Sequence, residues 1–374
     1  MGTHGCWPTP VQEQLLLACF AAEPIALRAV DSLSSSLAAG SLEPTVSGLL
    51  ALLYRRWPSV DSDLILEARK AYLTLWRQNH ERMQRLADLV GEFQKLGIEC
   101  VVLKGAALAL RYYRDLGVRG MRDFDILVAE QDLEAAIVRL LQLGYAADGD
   151  YPARAILRQT RVGHAWQFSA NGQSCDLHWR PVVRCYSPEV TRMFRDSAET
   201  TPLGEISVAV LSPTDQLFHV CAHGLQWDWN PPIRWIADAL TILREPIDWD
   251  RMFRLATASC MRMRLVSALG YLRTRMEAPV PPAFVERLEQ AAPCWERREH
   301  RLLLKPCPLG TFDSVAWHAY HFRRLRPFDA DWRSAPPWIA FPQYLETFLG
   351  ANGWPEFARR LWPELKVRLH GTRH

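Results

Sequence analysis

Apolar residues recur at helical spacing from residue 10 to residue 95. Leu15, Leu16, Cys19 and Phe20 share one face of a first helix, with Thr9 suited to its N-cap and Pro10 to its first position. The Ser- and Gly-bearing stretch at residues 32–47 predicts a break. A long periodic run from Asp61 to Leu96 follows and stops at Gly97. The period then changes. Short apolar, β-prone runs at 98–103, 124–128, 165–169, 174–179 and 206–211 predict strands. Helical runs at 106–115 and 131–143 lie between them, and Asn171-Gly172 predicts a hairpin turn. From Ser212 the pattern is helical again, with helices expected at 213–223, 231–243 and 249–257. Prolines near 280 and 307 mark later breaks, and the tail from Trp354 reads as a surface helix. The pattern predicts an α+β fold: a small mixed-sheet core at 96–211, a helical region at 1–95 before it and a helical domain at 212–374 after it.

Composition narrows the class. The 374 residues are 49% hydrophobic and 23% charged, the balance of a soluble globular chain. A net charge of +3 and the lack of a strong basic patch disfavour a long nucleic-acid acceptor. Nine scattered cysteines with no CxxC pair argue against a disulfide framework and against structural zinc. No apolar run reaches the length of a membrane span. Leu16-Leu17-Ala18-Cys19 resembles a lipoprotein cleavage box, but no basic stretch precedes it and Glu13 interrupts the apolar run. We read an ordinary helix there and expect a cytoplasmic location.

The candidate chemistry is concentrated at residues 101–128. An apolar strand ends in Leu103-Lys104-Gly105, a helix follows, and the next strand opens with Asp123-Phe124-Asp125. Lysine is rare in this chain, occurring only at positions 70, 95, 104, 305 and 366, so Lys104 stands out from background usage. Residues two apart on a strand share a face, so Asp123 and Asp125 point the same way, and Asp176 can join them from a neighbouring strand. Three convergent carboxylates repel one another unless cations lie between them. Hard oxygen ligands suit Mg²⁺, which completes its shell with phosphate oxygens. Two such ions stabilise the attacking and leaving oxygens of a phosphoryl-type displacement. Gly105 permits close backbone approach, and the helix after it offers free N–H groups to an anion. Lys104, Arg119 and Arg122 add positive charge for the nucleotide phosphates.

The order Leu103-Lys104-Gly105, helix, Asp123-Phe124-Asp125, then Asp176-Leu177-His178-Trp179 resembles the DNA polymerase β-type nucleotidyltransferase superfamily. More narrowly, it is similar to a bacterial family described as uncharacterised nucleotidyltransferases. The similar block continues through Leu211-Ser212-Pro213-Thr214-Asp215, His219, His223-Gly224 and Arg234-Trp235-Ile236-Ala237-Asp238, so the resemblance spans residues 96–260. It implies a transferase that uses Mg²⁺ and ATP or another nucleoside triphosphate. Asp123, Asp125 and Asp176 are then the catalytic and metal residues, with Asp176 as general base on an acceptor hydroxyl. The transferred group is nucleotidyl or phosphoryl. The resemblance implies a peptide or natural-product acceptor, with sugars second and tRNA modification as an alternative. Gly105-Ala106 departs from the Gly-Ser usual in the superfamily, which removes a hydroxyl contact to phosphate and leaves Lys104 as its substitute.

Plainer readings compete at each position. A lone D-x-D is often a turn, and only its order with the flanking motifs raises it. His178 shares the face of Asp176 and is either a substrate contact or a hydrogen-bonded sheet histidine. His219 and His223 have the spacing of zinc ligands, but no Glu sits in the expected place and no third ligand is evident. A polar helix face lining the cleft fits them better, His223 above all. Arg234 and Asp238 lie one helical turn apart and are either substrate contacts or an intrahelical ion pair. His164 faces the same choice. Trp227, Trp229 and Trp235 are an aromatic acceptor wall or core. A catalytically dead nucleotide sensor on the same fold is the rival function, against which the three carboxylates argue.

Overall fold

A computed structural model of the chain describes residues 6–38, 47–148, 157, 159–225, 233–305 and 311–350. Four helices precede the sheet: α1 (Pro10–Phe20), α2 (Glu23–Ala38), α3 (Ser47–Arg56) and α4 (Asp63–Lys95). Thr9 caps α1 in a reciprocal box with Gln12, and Pro10 occupies the first turn. The break expected at residues 32–47 begins later, because α2 runs on to Ala38. The Ser35 and Ser36 hydroxyls bond the carbonyls of Asp31 and Ser32 one turn back, so the serines are satisfied inside the helix. The rest of that stretch, residues 39–46, lies outside the described residues. Ser62 caps α4, and Gly97 takes the left-handed conformation just past its end. At 33 residues α4 is roughly 50 Å long, enough to serve two cores.

The sheet has seven strands: β1 (Cys100–Leu103), β2 (Asp123–Val128), β3 (Ala146–Ala147), β4 (Ala165–Ala170), β5 (Gln173–His178), β6 (Glu199–Leu203) and β7 (Ile206–Val210). Their order is β3-β4-β5-β2-β1-β7-β6, with β2–β5 and β1–β7 parallel and the other pairs antiparallel. Asn171 and Gly172, both with positive φ, turn the β4–β5 hairpin. β6 was not evident from the sequence. It carries Pro202, which an edge strand tolerates because that position need not donate to a second neighbour.

The helix expected at 106–115 starts earlier and changes pitch. α5 (Lys104–Ala107) widens into a π-helical segment, Leu108–Tyr113, which Arg114 ends in the left-handed region. Within the widened turn the Tyr112 hydroxyl donates to the Leu211 carbonyl and that of Tyr113 to Asp238. α6 (Leu133–Gln142) covers the sheet, and α7 (Pro188–Asp196), unforeseen in the sequence, leads into β6. The later helices are α8 (Pro213–Gly224), α9 (Arg234–Ile242), α10 (Trp249–Ala258), α11 (Arg262–Arg275), α12 (Pro282–Ala291), α13 (Cys294–Leu303), α14 (Thr311–Leu325), α15 (Ala330–Ser334) and α16 (Pro337–Phe348). The tail beyond residue 350 lies outside the described residues.

The fold is α+β, with helices on both sides of a mixed sheet in the sequence. One apolar core joins the early helices to the late ones through Leu15, Leu53, Phe218, Ile236 and Leu269. A second lies between the sheet and the far end of α4, where Phe93, Phe124, Ile126 and Ile137 meet. Leu64 and Ala68 at the start of α4 belong to the first core, and Leu86 and Phe93 to the second. Burying such side chains contributes about 1.5–3 kcal/mol each. α4 thereby fixes the sheet against the helices that carry the rest of the site. The eight described cysteines are free thiols. Among the described residues no helix is long and apolar enough to cross a membrane.

Candidate functional site

β2 and β5 run parallel, with Asp125 directly opposite Asp176. Asp125 is 1% exposed. Its Oδ1 takes two donors: Lys104 Nζ at 2.6 Å and His178 Nε2 at 2.9 Å. Lys104 reaches it from the strand-to-helix turn with a φ of 47°, a left-handed conformation that side-chain-bearing residues avoid. Such strain persists only where surrounding contacts hold it, and functional sites are where it gathers. Potential ligand atoms of Asp125, Asp176 and His178 lie within 4.8 Å of one another. Asp123 lines the same cleft but stands outside this tight group. Two polar atoms in the group are sealed and without a hydrogen-bond partner, Asp176 Oδ1 and His178 Nδ1.

Burial and then the neighbouring Asp125 charge push both Asp123 and Asp176 above the ordinary carboxylate range. Burial acts on Asp125 in the same sense. The His178 bond and the Lys104 charge outweigh it and hold Asp125 below that range. One carboxylate is thus firmly ionised, while the two beside it carry charge reluctantly. An additional cation would relieve both.

The cleft beyond the carboxylates has a volume of about 340 Å³ and is closed by α8, α9 and the segment ahead of β2. Arg119 lies in its wall but is committed to Asp238, with Nε and Nη2 each 2.8 Å from a carboxylate oxygen. Its Nη1 bonds the Gly120 carbonyl. The intrahelical pair of Arg234 with Asp238 therefore does not form. Arg234 bonds the Gly120 carbonyl at 3.0 Å instead, and burial lowers its pKa, Arg119 adding to the effect. Arg122 is exposed at the mouth. Gly105 has a packing reason besides phosphate approach: a Cβ there would stand 2.9 Å from that of Met121.

Both α8 histidines line the cleft as neutral rings. Burial holds His219 down to about 3, and it is bonded to the Pro181 carbonyl. Burial also takes His223 well below its usual value. Neither belongs to a metal-type cluster among the described residues. His164 packs edge-on against His178, and burial lowers it to about 3. Trp235 is buried yet edges the cleft. A Cβ on Gly224 would lie 2.1 Å from the Trp235 Cβ, so glycine is what lets α8 and α9 meet. Trp227 and Trp229 lie outside the described residues.

Residues 42–277 match a family described as uncharacterised nucleotidyltransferase. The chain belongs to this family. It is accordingly an enzyme of the nucleotidyltransferase class. No curated protein matches it. Among solved structures it is similar to an antigenic nucleotidyltransferase-like protein from Paracoccidioides brasiliensis, at 15% identity and a TM-score of 0.38, over 57% of this chain and 99% of that one.

In this nucleotidyltransferase three positioning features were missed by sequence reasoning. Asn79, fully buried on α4, donates to the carbonyls of Leu116 and Arg119. Asp115 accepts from the Gly117 amide and from Tyr72. Gly117 lies against the Tyr72 ring, where a Cβ would come within 2.3 Å. Together they strap residues 115–119 of the nucleotidyltransferase to α4. The only available signals were an Asn inside a long helix and an Asp-x-Gly turn.

Proposed function

We propose that this nucleotidyltransferase moves a nucleotidyl or phosphoryl group from a nucleoside triphosphate, ATP first, to a hydroxyl of a peptide or other natural-product acceptor, with Mg²⁺ as the metal. The observation that carries the reading is the register of Asp125 against Asp176, with a sealed, unpartnered oxygen on Asp176. An orphaned buried carboxylate oxygen is costly unless a cation satisfies it. The donor set fits Mg²⁺: Asp125 and Asp176 offer hard oxygens, and Asp123 stands at the cleft side of the pair. His178 orients Asp125 through Nε2 and is not needed as a ligand. A bound divalent ion supplies neutralisation of phosphate charge in the ground and transition states.

The chain's own groups do the rest. Asp176, raised by burial and by Asp125, is suited to take the acceptor's hydroxyl proton on its other oxygen, Oδ2, leaving the sealed Oδ1 to the cation. Lys104, Arg122 and Arg234 face the cleft and meet phosphate oxygens as charged donors. Arg119 acts by position, since its pairing with Asp238 fixes the wall from which Arg122 projects. A cleft of about 340 Å³ is in the range of small-molecule sites, which supports a compact acceptor group over a long nucleic acid.

The test uses ATP labelled at the α- or the γ-phosphate, in parallel, with Mg²⁺ and a panel of peptide, natural-product, sugar and tRNA acceptors. Transfer of the α label defines nucleotidyl transfer and of the γ label phosphoryl transfer. Asp125→Asn and Asp176→Asn should abolish either. If neither label moves to any acceptor while ATP still binds, the reading fails in favour of a nucleotide-binding module.

A further inference from the structure

The late helices form a second cavity, of about 680 Å³, none of whose lining residues borders the catalytic cleft. Four arginines line it, Arg323, Arg324, Arg326 and Arg333, and no carboxylate among the described residues does. Arg324, on α14, is committed: it bonds Glu299 at 2.7 Å and the carbonyls of Ser259 and Cys260. Arg326 is held by the carbonyls of Trp332 and Ala335, at 2.9 and 3.0 Å through Nε and Nη2, which fixes its guanidinium without cancelling its charge. Arg323 and Arg333 are exposed and have no ion pair among the described residues. Acidic residues on the same elements are taken: Glu296 on α13 by Arg262, and Asp329 and Asp331, flanking Trp332 in the sequence, by Arg161. Arg161 offsets one of those last two charges, and even with the other counted the cavity keeps an excess of positive charge.

The rest of the wall is largely aromatic: Trp295, Phe322 and Phe328 line it. Trp295 is half-buried, with the guanidinium groups of Arg323 and Arg324 over its ring at 4.9 and 5.5 Å. Phe328 is 50% exposed, a ring left half in water beside the arginines. A site of this volume is in the range that takes a small organic molecule.

We propose that this cavity is a second ligand site, which takes a nucleoside phosphate. The phosphate meets Arg323, Arg326 and Arg333, whose planar forks match its oxygens. The base lies against the rings of Trp295 and Phe328, since every base has a face to stack. An inorganic anion would leave the aromatic wall in water, and a neutral ring would leave the guanidinium groups unmet. A nucleoside phosphate answers both. With no carboxylate in its wall among the described residues, the cavity has no hard ligand for a divalent ion, so this binding is independent of Mg²⁺. It therefore stands apart from the nucleotide and metal assigned to the catalytic cleft.

The probe is AMP, titrated calorimetrically into the full chain in the presence of EDTA. Cys260 lines the cavity and is half-buried, so its alkylation by iodoacetamide, read by mass spectrometry, reports on occupancy at this place. AMP binds without Mg²⁺ and slows Cys260 alkylation. Arg323→Gln and Arg333→Gln, both at exposed positions, each weaken AMP by about tenfold, the loss of one charge-assisted bond. Trp295→Leu weakens it by about tenfold as well, through lost stacking. Adenosine and ribose phosphate, each half of the ligand, bind at least about tenfold more weakly than AMP. Lys104→Met and Arg234→Met, in the catalytic cleft, bind AMP like wild type. The proposal is overturned if AMP does not bind in EDTA, if ribose phosphate or adenosine matches it, or if the arginine variants bind like wild type. It is equally overturned if the cleft variants alone lose binding, or if a short single-stranded RNA binds more tightly than AMP, which would assign the surface to RNA. Each of these failures leaves transfer at the catalytic cleft untouched, because that reaction is assayed with Mg²⁺ and read on the acceptor.

Discussion

Replacing Arg119 by Met separates a structural role for this residue from a direct one in nucleotide binding. Arg119 gives Asp238 two bonds of 2.8 Å, and the Tyr113 hydroxyl gives a third at 3.0 Å. The Asp238 residue is 3% exposed, so removing the guanidinium strands a carboxylate with a single neutral donor. Breaking a buried pair from one side costs about 3–5 kcal/mol. The expected result for Arg119→Met is a fall of that order in urea-unfolding stability at neutral pH. Arg119→Met/Asp238→Leu should recover most of it, since neither charge is then left alone. ATP affinity, measured below the unfolding range, should change less than in Arg234→Met. A single variant within about 1 kcal/mol of wild type that has lost ATP binding would refute the reasoning and return Arg119 to the phosphates.

Three further outcomes are expected. Burial holds His164 and His219 near 3 and His300 near 4, so these rings are neutral in the fold while the unfolded chain protonates below about 6.5. Their contribution is fully present above that value and falls as pH drops toward 4, by roughly 1 kcal/mol per unit for each ring; equal urea stability at about pH 7.5 and about pH 5 would contradict it. Gly224→Ala forces a Cβ to within 2.1 Å of the Trp235 Cβ and should cost about 1–3 kcal/mol in unfolding, with a lower kcat as α8 and α9 separate. Asp176→Asn should weaken Mn²⁺ binding, read by paramagnetic relaxation, by tenfold or more while leaving metal-free stability unchanged or higher, because it removes a reluctant charge beside Asp125; unchanged Mn²⁺ affinity would remove Asp176 from the metal site.

What the sequence revealed and what it concealed follow from how local each signal is. Asp123, Asp125 and Asp176 could be placed because strand alternation is a two-residue rule and needs no knowledge of the fold. The hairpin at Asn171-Gly172 was legible for the same reason. Ser35 and Ser36 misled because a serine run suits a loop, yet each hydroxyl found a carbonyl one turn back. The partnerships that shape the cleft are not local at all. Asp238 has Arg234 one helical turn away, and nothing in the sequence favours Arg119, which lies 119 positions earlier. The fold decides between them: Asn79 and Asp115 tether the Arg119 segment to α4, and its guanidinium meets Asp238 through two nitrogens. Two charge-assisted bonds to a buried carboxylate outweigh an exposed one-turn pair, which gains only about 0.2–0.5 kcal/mol. Arg234, displaced from its neighbour, is left bonded to a carbonyl and turned toward the cleft. A cation made available in this way is one that local pairing rules assign to structure, which is why the sequence groups Arg119 with Lys104 and Arg122 as phosphate contacts, whereas our proposal gives that role to Arg234.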